Sequence, residues 1–267
     1  MLNVYRPIER CYTAQGPKDG LPLVLIHGSV VSKESWLPQL EELSDTYRVI
    51  AVDLPGHGSL AGVSFSYQQA SRILLEVIRC ETDQPVVIAG LSLGAYAAIE
   101  FTAAYPEFVQ LLILSGCRPR LKGVMALYLN VIGRLLKIGL LKGGLEQAQA
   151  RVRKMYSREM KEAAEFQIAA GVFPEALGDV FLEMAGRDYA ARLNASSRSV
   201  FLLNGELDQD SRRAEDEFLK TCPHIKLRIV TGAGHALSLE QPQLYNAAVR
   251  GILEQVTTPG TMIKVRT

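Results

Sequence analysis

A Gly-x-Ser-x-Gly pattern at residues 90–94 constrains this chain more than any other feature. Four apolar residues, mostly β-branched, precede the pattern, and an alanine-rich run with high helix propensity follows it. A buried strand that turns directly into a helix leaves little space, so side chains at positions 90 and 94 would strike neighbouring backbone. Ser92 is therefore expected to adopt a strained conformation that directs its hydroxyl over the end of a sheet.

The pattern alone is weak evidence, because a chance match occurs in about one chain in ten of this length. The alternative is a glycine-rich turn with a serine that does nothing. The remainder of the chain decides between the two interpretations.

Apolar runs that alternate with helical patterns predict a parallel sheet with helices on both faces. The strand-like runs fall at residues 21–26, 48–53, 86–89, 109–115, 200–204 and 226–230. Ligand sites in such sheets lie at the carboxyl ends of the strands. Here those ends carry His27-Gly28-Ser29, Asp53, Ser92 and Cys117.

The alternation stops between residues 117 and 198, where the sequence favours several helices and no strand. This segment is far longer than an ordinary connection between a strand and a helix. We interpret it as a helical lid, inserted into an α/β core formed by residues 1–116 and 199–256. Residues 257–267 form a C-terminal tail, for which the sequence predicts no role.

Composition excludes several classes of function. The 267 residues carry a net charge of +1, so bulk electrostatics does not suggest a nucleic-acid partner. No run of apolar residues is long enough for stable membrane insertion, and the start of the chain lacks signal-peptide features. The four cysteines are far apart and form no metal-binding motif, which predicts a reduced cytoplasmic protein. We expect a small-molecule substrate, no metal, and a monomer or homodimer.

A nucleophilic serine needs a base to take its proton and an acid to orient that base. Two of the four histidines follow Ser92 in the chain. His224 precedes its predicted strand, which places it at the opposite end of the sheet. His235 follows the last predicted strand in a Gly-Ala-Gly loop, at the same edge as Ser92, and is the predicted base.

The predicted acid is Asp208, in the loop after the strand at residues 200–204. Asp210 and Glu206 remain alternatives, because spacing alone cannot separate neighbouring carboxylates in one loop. Each of the three could also be a solvated charge without a catalytic role.

Backbone amides are expected to bind the negative oxygen that develops during acyl transfer. One is the amide of Leu93, at the helix N-terminus after the serine. The other belongs to the loop after the first buried strand, where Ser29 is the first choice and Val30 the second. Three further polar side chains at this edge are expected to brace loops: His27, Asp53 and His57.

Together these residues resemble the α/β-hydrolase superfamily along the whole chain. The motifs that carry the resemblance are His27-Gly28, Asp53-Leu54-Pro55-Gly56-His57-Gly58, Gly90-Leu91-Ser92-Leu93-Gly94, Asn204-Gly205-Glu206-Leu207-Asp208 and Gly234-His235. The chain is similar in particular to the lidded group that includes enol-lactone hydrolases, carboxylesterases, C–C bond hydrolases and SHCHC synthase of the menaquinone pathway. The resemblance implies an α/β-hydrolase fold with an eight-stranded, mostly parallel sheet, a lid inserted after the sixth strand, and no cofactor. Haloalkane dehalogenases and epoxide hydrolases of this fold use Asp at the elbow, so Ser92 argues against both.

The segment from residue 109 to residue 145 contains no Asp or Glu but several cationic and many apolar side chains. The plainest interpretation is an amphipathic lid helix with its apolar face on the core. A second is a binding site for an apolar substrate with an anionic group, in which Arg118 and Arg120 bind the anion. Contact with an anionic membrane surface or with a second subunit is a third.

The sequence thus predicts a serine hydrolase that cleaves a small ester, lactone or thioester through an acyl-enzyme. Ser92, His235 and Asp208 form its triad, with the Ser29 and Leu93 amides as oxyanion donors. One alternative is a C–C bond hydrolase or lyase that uses the same triad as a base. Another is a ligand-binding receptor on the same fold, without catalysis.

Overall fold

Seven strands form one sheet in the computed structural model, which describes residues 8–140, 145–156 and 161–257. The strands are β1 (Tyr12–Gln15), β2 (Pro22–Ile26), β3 (Arg48–Val52), β4 (Val86–Leu91), β5 (Val109–Ser115), β6 (Ser199–Gly205) and β7 (Ile225–Val230). Their order across the sheet is β1-β3-β2-β4-β5-β6-β7. The short edge strand β1 is antiparallel to β3, and every other pair is parallel. The mostly parallel sheet is therefore confirmed.

The described part of the chain contributes seven strands, so the expected count of eight stays a prediction. Residues Ile8–Arg10 form a 3-10 helix directly before β1, and the Cys11 amide donates a hydrogen bond to the Ile8 carbonyl (3.0 Å). Counted over the described strands, the helical insertion follows the fifth.

Helices cover both faces of this sheet. The helices before the insertion are α1 (Leu37–Leu43), α2 (Tyr67–Glu81) and α3 (Leu93–Ala104). The insertion contains α4 (Val124–Lys137), α5 (Leu145–Met155), α6 (Lys161–Ala169), α7 (Leu177–Met184) and α8 (Tyr189–Ala195). The helices after the insertion are α9 (Gln209–Thr221), α10 (Leu237–Glu240) and α11 (Pro242–Thr257). The Ser66 hydroxyl caps α2 by accepting a hydrogen bond from the Gln69 amide (3.2 Å). The predicted tail lies outside the described residues after Thr257.

Alternate residues of each strand contribute to two separate cores, because successive side chains point to opposite faces. In β2, Val24 and Ile26 pack with α2 and α3, whereas Leu23 and Leu25 pack with α1 and α11. Because the strands are buried on both faces, polar side chains are accommodated only at the strand ends. The functional side chains are accordingly found in the loops at the carboxyl edge.

The insertion lies against that carboxyl edge. The Phe173 amide donates to the Val30 carbonyl (2.8 Å), and the Ser32 hydroxyl donates to the Ala170 carbonyl (3.0 Å). A small apolar cluster joins α5 and α6 to Ala236, in the loop after β7. These contacts give the insertion the position expected of a lid, and we retain the division into core and lid as a proposal.

Helix α4 does not bury all of its apolar residues. It approaches α7 closely at Gly133, where an added Cβ would lie 3.1 Å from the Gly178 carbonyl oxygen. Its other face leaves apolar side chains in solvent: Val124, Leu127, Tyr128 and Val131. The expectation that the apolar face packs entirely on the core is therefore wrong in part. No described helix combines the length and apolar character needed to cross a bilayer.

Carboxylates from distant segments pair with many of the basic side chains in the acid-free stretch. The ion pairs are Arg118–Asp210, Arg120–Asp188, Arg120–Glu217, Lys122–Asp188 and Lys137–Asp179. The charge imbalance seen along the sequence is thus largely removed by the fold.

Candidate active site

Ser92 lies at the junction of β4 and α3 in a strained backbone conformation, with φ 54° and ψ −114°. Among the described residues only Val30 also combines a side chain with positive φ. A Cβ on Gly94 would lie 2.0 Å from the Ile26 carbonyl oxygen, and one on Gly90 2.4 Å from the Gly94 carbonyl oxygen. The two glycines are therefore required by close packing, as the sequence predicts.

His235 and Asp208 are joined by a hydrogen bond of 2.7 Å between Nδ1 and Oδ2. Asp208 also caps α9, accepting hydrogen bonds from the Ser211 amide (3.2 Å) and hydroxyl (2.6 Å). Burial opposes ionisation of Asp208, but the hydrogen bonds and charge of His235 and the bonds from Ser211 outweigh it and lower its pKa to about 2. An ionised carboxylate only accepts, so the proton of neutral His235 lies on Nδ1 and Nε2 is free to act as a base.

The alternative residues are occupied elsewhere. Asp210 is largely exposed and pairs with Arg118 (3.2 Å), and the Glu206 carboxylate accepts a hydrogen bond from the Gly232 amide (2.9 Å). His224 is exposed and precedes β7, at the opposite end of the sheet from Ser92. The geometry therefore favours Asp208 and His235 over the alternatives that spacing left open.

Ser92 and His235 meet at the end of β5. The Ser92 amide donates to the Ser115 carbonyl (2.8 Å), and a Cβ on the next residue, Gly116, would lie 2.7 Å from Cε1 of the imidazole. Within the described part of the chain, no hydrogen bond joins the Ser92 hydroxyl to His235. Such bonds often tighten only when substrate is present. The fold thus brings the Ser92 hydroxyl and the His235 imidazole to the same edge of the sheet, without a hydrogen bond between them.

The loop after β2 packs beside Ser92, since a Cβ on Gly28 would lie 3.6 Å from the Ser92 Cβ. In that loop the Val30 amide already donates to Nε2 of His57 (3.1 Å). Ser29 and Leu93 donate no backbone hydrogen bond within the described residues, and Leu93 begins α3, where first-turn amides lack helical partners. The structure therefore favours Ser29 over Val30 as the second candidate oxyanion donor.

A cavity of about 330 Å³ opens beside the imidazole. Its lining consists of Tyr96, Gly116, Arg118, Asp208, Asp210, Ser211 and His235. Arg120 does not line it and instead pairs with Asp188 and Glu217, so a role for Arg120 in substrate binding stays a prediction. A second cavity, of about 530 Å³, lies between α2, α3 and the insertion and contains none of the predicted site residues.

Two lining residues were missed by sequence reasoning, although the sequence carries a signal for each. Tyr96 follows Ser92 by four positions, so both lie on one face of a helix. Ser211 follows Asp208 by three, the spacing at which a helix cap bonds its first turn. No group of three or more His, Cys, Asp or Glu side chains in the described ranges is arranged to hold a metal ion.

Residues 23–248 match the model of the alpha/beta hydrolase family. The chain belongs to this family. A candidate 2-succinyl-6-hydroxy-2,4-cyclohexadiene-1-carboxylate synthase (SHCHC synthase) of Bacillus subtilis is 27% identical over 257 residues, covering 91% of this chain and 93% of its own. A carboxylesterase of the same organism is 25% identical over 254 residues, covering 90% of this chain and 82% of its own. The structure of a thermophilic esterase from Thermogutta terrifontis, with malate bound, has 26% identity and a TM-score of 0.79, covering 92% of this chain and 93% of its own.

Two buried histidines brace the loops of this α/β-hydrolase. Nε2 of His27 accepts a hydrogen bond from the Leu54 amide (3.0 Å) while its Nδ1–H donates to the Gly28 carbonyl (2.7 Å). Nε2 of His57 accepts the hydrogen bond from the Val30 amide, and its Nδ1–H donates to the Pro55 carbonyl (2.9 Å). Both rings are neutral in this pattern, and burial lowers the pKa of His27 and brings that of His57 to about 3.

Asp53 ties the same loops together from a fully buried position. Its carboxylate accepts hydrogen bonds from the Lys33 amide and ammonium (2.8 Å each) and from the Ser59 amide and hydroxyl (2.9 Å each). The structure therefore supports bracing roles for Asp53 and both histidines.

The buried histidines predict that this α/β-hydrolase loses stability in mild acid. The unfolded chain takes up a proton on His57 near pH 6.5, whereas the folded protein does so only near pH 3. The free energy of unfolding therefore falls as the pH is lowered between these values, by about 1.4 kcal/mol per pH unit from His57 alone. Urea unfolding at several pH values between about 7 and 5 measures this slope.

His57→Gln keeps an acceptor and a donor without a titrating ring, so its stability is expected to be lower at neutral pH but less dependent on pH. His224→Gln, at an exposed histidine, is the matched control and keeps the wild-type slope. Equal slopes for wild type and His57→Gln would show that His57 does not titrate as inferred.

Proposed function

We propose that this α/β-hydrolase is a serine hydrolase that cleaves a small carboxylic ester, lactone or thioester through an acyl-enzyme. The observation that carries the proposal is the 2.7 Å hydrogen bond between Asp208 and His235. It orients an imidazole, with Nε2 free, at the sheet edge where the strained elbow presents Ser92. Such an arrangement activates a serine hydroxyl as a nucleophile.

In the proposed reaction the Ser92 Oγ attacks the acyl carbon while Nε2 of His235 accepts the hydroxyl proton. The Leu93 and Ser29 amides donate to the negative oxygen of the tetrahedral intermediate. His235 then gives its proton to the leaving group as the bond to the acyl carbon breaks. A water molecule then attacks the acyl carbon while His235 accepts its proton. His235 returns that proton to the Ser92 Oγ as the bond between Oγ and the acyl carbon breaks, and the acid is released.

In this proposal residues 117–198 act as the lid that shapes the substrate pocket, with the core in residues 1–116 and 199–256. The contacts of Ala170 and Phe173 with the loop after β2 support that role, since the same loop carries Ser29. The esterases among the relatives support the ester class. A cytoplasmic location and a monomeric or homodimeric state stay predictions from the sequence.

A hydrolysis panel tests the proposal directly. Esters, thioesters and lactones that differ in acyl length and charge are supplied to the protein, and product release is measured. We expect turnover of at least one class, with a rapid first release of leaving group, equal in amount to the enzyme, wherever deacylation is the slower step. Absence of turnover across all three classes would contradict the proposal.

The SHCHC synthase relative favours a second candidate, a C–C bond hydrolase or lyase that uses the same triad as a base. Such an enzyme forms product without a stoichiometric release of leaving group, because no acyl group accumulates on Ser92. Pre-steady-state kinetics on a cleaved substrate, combined with mass spectrometry of the quenched enzyme, therefore separates the two. Labelling by a fluorophosphonate does not, since an activated serine reacts in both.

A further inference from the structure

We propose that Arg118 forms an anion subsite in the candidate active site and that Asp210 is the counter-ion that occupies this subsite at rest. The ligand class is an acyl compound with a second, free carboxylate, such as a half-ester of a dicarboxylic acid. The inference rests on the proposed function and names its substrate class.

Arg118 is placed at the cavity by a fixed backbone. Its amide donates to the hydroxyl of Tyr96 (2.9 Å), a buried residue on α3 one helical turn after Ser92. The side chain, by contrast, is 39% exposed and lines the cavity together with His235. Arg118 is the one permanent cation among the described lining residues. An anion that enters the cavity therefore meets this guanidinium beside the proposed base.

The guanidinium of Arg118 uses few of its hydrogen-bond donors. Within the described residues its side chain makes one hydrogen bond, from Nη2 to Oδ1 of Asp210 (3.2 Å). An arginine has five N–H donors in a planar fork that matches both oxygens of a carboxylate. Asp210 accepts through only one of its two carboxylate oxygens. A ligand carboxylate that accepts through both oxygens can form a better-matched, bidentate contact.

Asp210 is suited to leave. Its side chain is 74% exposed, so it returns to water when a ligand displaces it. Exposed ion pairs of this kind contribute little to stability. The exchange keeps one carboxylate on Arg118 before and after binding, which avoids leaving an unpaired charge in the cavity.

Neighbouring arginines are held differently. Arg120 is shared between Asp188 and Glu217 on the far side of the same segment. The Arg187 guanidinium binds both Glu100 and Glu183. Each of these arginines has two carboxylate partners, whereas Arg118 has one. Arg213 also lies 3.9 Å from Asp210 but does not line the cavity, so Arg118 is the arginine that a ligand in the cavity reaches.

The proposal predicts effects of opposite sign for its two residues. Arg118→Gln removes the subsite, so the ratio of kcat/KM for a half-ester to kcat/KM for the matched neutral ester is expected to fall about tenfold or more, mainly through KM. Asp210→Asn removes the resident competitor, so the same ratio is expected to rise a few-fold. When Arg118→Gln is already present, adding Asp210→Asn is expected to leave the ratio unchanged, because no Arg118 guanidinium remains to be released from Asp210.

The substrates are the monomethyl esters of succinic, adipic and suberic acids, each compared with the methyl alkanoate of the same carbon number. Arg134→Gln, at an exposed arginine on α4, is the matched control and leaves the ratio at the wild-type value. Binding of hexanoate and of hexanamide, followed by calorimetry, tests the subsite without turnover. Hexanoate is expected to bind more weakly to Arg118→Gln and more tightly to Asp210→Asn.

The two arms keep this inference separate from the proposed function. If no ester is cleaved, the proposed function fails, and hexanoate binding still decides whether the subsite exists. If esters are cleaved but Arg118→Gln lowers the rates on half-esters and neutral esters equally, Arg118 has a structural role and the subsite is excluded. A ratio unchanged by Asp210→Asn would exclude the resting counter-ion.

Discussion

Replacement of Ser92 by alanine is expected to reduce kcat for ester hydrolysis on the order of 10⁶-fold while leaving the fold intact. The substitution removes only the hydroxyl that would attack the acyl carbon. Alanine keeps the Cβ that the backbone at φ 54° already accommodates, so the elbow is unchanged. The Leu93 and Ser29 amides remain, and the residual rate above that in water reports their contribution.

Initial rates on a cleaved ester, together with thermal unfolding of both proteins, measure this effect. Ser64→Ala, which removes an exposed hydroxyl from a loop, is the matched control and should keep the wild-type rate. Mass spectrometry after fluorophosphonate treatment should show one added group on the control and none on Ser92→Ala. A variant that keeps a tenth or more of the wild-type kcat, with unchanged stability, would exclude Ser92 as the nucleophile.

The parts of the site that sequence predicts are those that chain order dictates. A parallel sheet places each loop after a strand at one edge, so Ser92, Asp208 and His235 meet there whatever the details of packing. Strand β5 was predicted with both of its observed ends, because a continuous apolar run bounded by turn residues leaves little choice. The strained elbow followed from glycine spacing, since only close backbone packing requires two glycines around one serine.

The parts that sequence could not predict depend on partners far apart in the chain. Arg118 meets Asp210 across 92 positions of sequence, and Arg120 meets Glu217 across 97. The sequence shows the charge of the acid-free stretch but not the distant carboxylates that pair with it in the fold. The choice between Ser29 and Val30 likewise depended on a hydrogen bond to His57, which spans 27 positions.

The eighth strand is a prediction of another kind. It comes from the resemblance to the family and not from the residues, and the structure has one short edge strand, Tyr12–Gln15, before β2 in the described chain. The 3-10 turn at Ile8–Arg10 occupies the adjoining chain. Family resemblance therefore predicted the mostly parallel sheet correctly, whereas its eighth strand and its site residues stay predictions.

Conversion of Asp208 to asparagine is expected to lower kcat for ester hydrolysis on the order of 10⁴-fold. The carboxylate accepts from Nδ1 of His235 at 2.7 Å, which leaves Nε2 unprotonated. Where an asparagine amide group donates to Nδ1 instead, the proton moves to Nε2, and the imidazole can no longer accept a proton from Ser92. The loss is smaller than for Ser92→Ala because the attacking hydroxyl stays in place.

Asp216→Asn is the matched control, since Asp216 is an exposed carboxylate on the same helix, α9. Rates on one ester and thermal unfolding are measured for both variants. Asp208 also accepts two hydrogen bonds from Ser211, so Asp208→Asn is expected to lose some stability, and circular dichroism must show that it is folded. A folded Asp208→Asn with a kcat within tenfold of wild type would mean that another group orients His235. For Asp210 or Glu206 to take that role, Asp210 would have to leave Arg118 or Glu206 would have to leave the Gly232 amide.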